Sequence, residues 1–221
     1  MNKNFYSKLS DNLSGLFFVS KFKLAKIFVS ESSDDELLKG VFLIKARSGI
    51  LVCTWFCPLI HFSYPSEPLT FWVFDGWDLG GGRSGLISYD VNSELLSPKK
   101  DEDTLINEVA DYITQRVKDF DDVKTQNDFI KLLSLFPSSV SGVYRQLNLG
   151  LLHYCVGDKL LGEKIIRNAI ESKGGYPLIE GDVVEFLSCL DMGEDKTNEY
   201  IEKIKIRNRQ YLEKFGFYLH K

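Results

Sequence analysis

The chain has 221 residues, 44% hydrophobic and 26% charged, with a formal net charge of −4. That length holds one large domain or two small ones and buries a core without disulfide or metal staples, and the near-average composition excludes wholesale disorder and fibrous classes. The acidic balance argues against general nucleic-acid binding, which needs a basic face to neutralise phosphates.

The opening stretch has no apolar run of signal-peptide length and carries Lys8 and Asp11 where one would sit. Within it Phe5, Leu9, Leu13 and Leu16 recur at helical spacing, which predicts a short amphipathic helix over residues 4–16, lying on one face of a sheet. Residues 23–30, 41–47, 50–57 and 69–74 are rich in Val, Ile, Phe, Trp and Thr and read as strands, with Ser48-Gly49 supplying a tight hairpin between the second and third. Consecutive strands with short connections make an antiparallel meander. A fifth run, 85–91, follows Gly80-Gly81-Gly82 and adds an edge strand. The longest apolar stretch, 49–62, is too short for a membrane span and contains Pro58, so no membrane partner is expected.

Residues 92–103 combine Pro98 with a charge run and read as a boundary, after which Asp103 is placed to cap a new helix. The expected organisation is therefore a sheet domain over 1–97 and a helical segment over 98–221, an α+β fold with an N-terminal helix and an antiparallel meander ahead of the helices. Leu105, Val109, Ile113 and Val117 keep helical spacing, and so do Phe129, Leu132, Leu133 and Phe136 up to the stop at Pro137. A further helical hairpin is expected around Gly193, from Asp182–Leu190 and Thr197–Tyr211.

Over residues 143–172 the array Leu149-Gly150, Gly157-Asp158, Gly162, Ile166 and Ala169 resembles one tetratricopeptide repeat. Small residues at 150, 162 and 169 let two antiparallel helices approach closely, and Gly157-Asp158 makes the turn. Gln146 and His153 depart from the aromatic positions of that pattern, and a true array needs about three units, so the segment reads as a helical-hairpin tail.

Groups that carry chemistry are sparse. Residues 75–83, Asp75-Gly76-Trp77-Asp78-Leu79-Gly80-Gly81-Gly82-Arg83, offer two carboxylates and an arginine but match neither a phosphate loop nor a calcium loop, so a plain hairpin loop stands beside a small-ligand site there. Cys57 and His61 sit in a strand-like context with Pro58 between them, where packed side chains are the expected reading over a nucleophile–base pair. Cys53, Cys57, Cys155 and Cys189 lie in apolar segments without zinc-site spacing and read as reduced, structural thiols of a cytoplasmic protein. No catalytic residue, metal ligand or cofactor is assigned.

Two surfaces are candidates for a protein partner. From 101 to 128 nine acidic residues stand against Arg116, Lys118 and Lys124, a local charge of −6; Asp103, Glu108, Asp111 and Asp119 are expected to face solvent from a helix, with Asp121 and Asp122 in the turn that follows. Such a face is either a solubility surface or a site for a basic partner. The aromatic cluster around Trp72 and Trp77 is either core or an interface, since tryptophan dominates binding hot spots. Residues 196–214 carry a charge of +3 with mixed signs and read as a solvated face.

A leading helix, a meander and acidic helices in a chain without catalytic groups resemble, in layout, the immunity proteins of bacterial polymorphic toxin systems. That resemblance implies a non-enzymatic protein that neutralises a toxin by direct binding, with a basic toxin domain as its partner. An adaptor that holds a peptide with its helical half is the alternative, and a small-ligand binder or enzyme using residues 75–83 is a second.

Overall fold

In the computed structural model the described residues are 3–19, 26–33, 36–45, 49–63, 72–74, 86–88, 101–118, 121–136, 142–172 and 181–217. In chain order they form α1 (Lys3–Asp11), β1 (Leu16–Phe18), β2 (Lys26–Ser30), β3 (Leu37–Lys45), β4 (Gly49–Pro58), β5 (Trp72–Phe74), β6 (Leu86–Ser88), α2 (Glu102–Lys118), α3 (Gln126–Leu135), α4 (Val143–Cys155), α5 (Lys159–Glu171), α6 (Asp182–Met192) and α7 (Glu194–Phe215). The fold is α+β, as its patterning predicts.

The helix at the start is shorter than expected. After Asp11 the chain turns through Gly15 at φ 74°, a left-handed value that suits glycine, and Leu16 opens β1, which the sequence reading had assigned to the helix. Leu13 and Leu16 are still buried, so the apolar spacing served the core from a turn and a strand.

Strands β1 to β5 pair antiparallel in sequence order, the meander expected from the short connections. β3 begins at Leu37, four residues ahead of the expected start at Val41. Lys39 and Gly40 disguise that part of the strand. The Lys39 side chain is 1% exposed and donates from Nζ to the Val123 carbonyl at 2.9 Å, while a Cβ on Gly40 would overlap the Phe28 carbonyl and crowd the Trp55 indole. β6 pairs with β4, in line with β5: β5 lies opposite Phe56 to Thr54 and β6 opposite Leu51 to Gly49. The expected edge strand therefore continues the β5 edge. The hairpin at Ser48 lies outside the described residues.

Helices cover both faces of the sheet. On one face Val41, Leu43, Ile50, Val52 and Phe56 pack with side chains of α1, α2, α3, α4 and α6 and the first half of α7. On the other, Ile27, Val29, Leu38, Phe42, Cys53, Trp55 and Cys57 pack with Leu212 at the end of α7 and with Phe217. From Val52 to Cys57 β4 is thus buried on both sides, which is why 49–62 is mostly apolar, Thr54 and His61 apart, rather than alternating. Residues from both sides of position 97 share both clusters. At 22 residues α7 is about 33 Å long, enough to run from the helical layer to the far face of the sheet.

The hairpin α4–α5 turns through Gly157 at φ 102°. A Cβ on Gly150 would stand 2.6 Å from Ile166 Cγ1, and one on Gly162 2.5 Å from the Gly150 carbonyl oxygen, so the two helices touch backbone to backbone. Gly193, at φ 109°, joins α6 directly to α7.

Candidate functional site

α2 turns Ile106, Val109 and Ile113 into the core, with Leu105 and Val117 packed beside them. Asp101, and not Asp103, caps the helix: its carboxylate accepts from Thr104 N at 2.8 Å and Thr104 Oγ1 at 2.7 Å, which holds it below the usual carboxylate range. Asp103 falls in the first turn and meets Lys8 of α1 at 3.2 Å, the same ammonium reaching Glu102 at 3.5 Å. Glu108 is half-buried and Asp111 is exposed. Asp121 and Asp122 are exposed in the turn before α3, while Asp119 lies outside the described residues. Asp128 closes a capping box with Thr125, and the hydrogen bond from the Thr125 hydroxyl lowers its pKa.

The α2–α3 turn rests on a fixed base. Lys39 holds the Val123 carbonyl from inside the core, and Gln126 Nε2 donates to Glu36 Oε2 at 2.9 Å. Among the described residues no ion pair reaches Asp111, Asp121 or Asp122.

The aromatic alternative does not hold for Trp72. It is 1% exposed, edge-on to Phe129 with ring centres 5.8 Å apart, and under the Arg145 guanidinium at 5.5 Å. Trp72 is a core residue and offers no surface to a partner. Trp77 and residues 75–83 lie outside the described residues.

Cys57 and His61 are both fully buried and both point at the Pro58 carbonyl, His61 Nδ1 at 2.8 Å and Cys57 Sγ at 3.9 Å. A carbonyl acceptor requires the proton on Nδ1. Burial pushes the Cys57 thiol above its usual range, so the sulfur is held as a thiol. Cys155 is likewise pushed up, to about 12, by burial.

The densest polar constellation was not anticipated. After β4 the chain runs through Leu59–Ser63 without regular structure, with residues 59 to 62 no more than 1% exposed, so its main-chain groups need partners. Side chains of three helices provide them. From α4, Asn148 Oδ1 accepts from Phe62 N at 2.7 Å and Tyr144 Oη donates to the Phe62 carbonyl. From α7, Asn208 Nδ2 donates to the Leu59 carbonyl at 2.7 Å and the His61 carbonyl at 3.0 Å. From α6, Asp182 Oδ2 accepts from Ser63 N at 3.1 Å, and its Oδ1 takes the Arg207 guanidinium at 2.6 Å. Arg207 also reaches Ser63 Oγ at 3.1 Å. Burial raises the Asp182 pKa, but the hydrogen bonds from Arg207, Ser63 N and Tyr200 outweigh it and hold the carboxyl below its usual range. Tyr200, buried beside Asp182 and Glu185, is shifted upward and stays a phenol that donates to the Asp182 carbonyl at 3.1 Å. The available signal was an asparagine in an apolar stripe: Ile204, Asn208 and Leu212 share one face of α7, and all three are buried.

No protein-family model, curated protein or solved structure matches the chain. The geometry alone therefore separates the two constellations. The segment 59–63 and its helices form a closed clasp in which donors and acceptors serve the chain's own backbone. The outer face of α2 and its following turn present charge to solvent. Among the described residues no group of three or more His, Cys, Asp or Glu side chains is placed to hold a metal ion, and no helix is long and apolar enough to cross a membrane.

Proposed function

We propose that the chain is a non-catalytic protein-binding protein that acts in the cytoplasm as an immunity-type partner of a basic toxin domain. Asp111, Asp121 and Asp122 carry the reading: three carboxylates stand exposed on an anchored helix and turn, and among the described residues no cation pairs with them. Clustered like charge weakens folding through self-repulsion, and complementarity to a basic surface speeds encounter and selects the partner. Four of the six cations of α7 are already paired with carboxylates of the chain. Lys196 pairs with Glu199, Lys203 with Glu185, Lys205 with Glu36 and Glu202, and Arg207 with Asp182. For the adaptor alternative, Asn148 of α4, Asp182 of α6 and Asn208 of α7 are already engaged by residues 59–63.

The test is co-expression with the protein encoded directly upstream, followed by co-purification and surface plasmon resonance. The variant Asp111→Lys with Asp121→Lys and Asp122→Lys is expected to associate about tenfold or more slowly than the wild type at low salt, with the difference shrinking as salt rises. Association that ignores both salt and the substitutions removes the acidic face as the interface.

A further inference from the structure

We draw no further inference here: the strongest candidate, the exposed leucine pair Leu160 and Leu161 at the start of α5, beside the α6–α7 turn that Lys159 reaches through Glu194, is an apolar surface patch with nothing in the structure to show what covers it.

Discussion

The outer face of α2 and the clasp around residues 59–63 are both rich in polar side chains, yet they are built in opposite ways. On α2 and the turn that follows it the carboxylates at 111, 121 and 122 face solvent, and hydrophobic positions such as Val109, Ile113 and Val123 do the packing. In the clasp Asn148, Asp182, Asn208 and Arg207 are packed between helices, and each is tied to a main-chain or side-chain partner. The difference teaches that a polar side chain's role follows from what lies opposite it. A carboxylate facing water is available to a second molecule, whereas one facing a buried amide belongs to the fold.

The largest expected effect breaks the clasp. Asn208→Ala removes a donor from the buried Leu59 and His61 carbonyls, and at about 1–3 kcal/mol for each carbonyl the loss is roughly 2–6 kcal/mol in chemical denaturation. Because residues from both sides of position 97 share both hydrophobic clusters, unfolding of this variant should remain a single transition by fluorescence and by circular dichroism. Two separated transitions would mean that 1–97 and 98–221 fold independently.

Gly162→Ala comes next. Its Cβ would press on the Gly150 carbonyl at 2.5 Å and on Tyr154 N at 2.5 Å, so α4 and α5 must part, costing about 1–3 kcal/mol and loosening the helix that carries Asn148. An unchanged denaturation midpoint would show that the hairpin has slack and that the clasp does not depend on it.

A smaller, pH-dependent term belongs to Asp182. Its folded-state pKa is lowered, so its contribution is present above the unfolded value near 3.9 and is lost as pH falls through the folded value. Asp182→Asn should therefore flatten the stability profile on the acid side of about pH 4 while leaving its neutral-to-basic limb unchanged in shape. An acid limb identical to that of the wild type would assign the effect to other carboxylates.

The smallest expected effect on stability is at the acidic face. Replacing Asp111, Asp121 and Asp122 together by Lys should shift the unfolding free energy by no more than about 0.5 kcal/mol per site, as for exposed positions generally. A loss of several kcal/mol would mean that these carboxylates hold the fold, and the contrast with the clasp would fail.

Much of the architecture was legible because apolar spacing reports which face an element buries. Val109 and Ile113, and Phe129 and Leu133, pack where their periods place them, and the β4 run from Val52 to Cys57 is buried on both faces. Gly150 and Gly162 were legible for a related reason, since only close backbone approach explains small residues on facing helices. Misreadings arose where a tertiary partner reversed a local preference. Lys39 fell outside the expected strand 41–47 although the Val123 carbonyl holds its ammonium in the core, and Asp103 looked like a cap although Asp101 two residues earlier does the capping. The acidic run was visible in the sequence, but the ion pair that takes Asp103 out of it was not, because Lys8 lies 95 residues away in the chain. The clasp was hidden because its ligands are backbone amides and carbonyls, and every residue has those.

The position of α7 also has a consequence for synthesis. The strands that build the sheet leave the ribosome early, but among the described residues the far face carrying Ile27, Phe42 and Trp55 is closed by Leu212 and Phe217, whose ring lies 6.1 Å from that of Trp55. Until those residues emerge, a broad aromatic and aliphatic surface stands open on the nascent chain, the kind of exposure that invites aggregation or chaperone capture. Contacts of such long sequence separation also slow folding, so the sheet is committed to wait for its last helix.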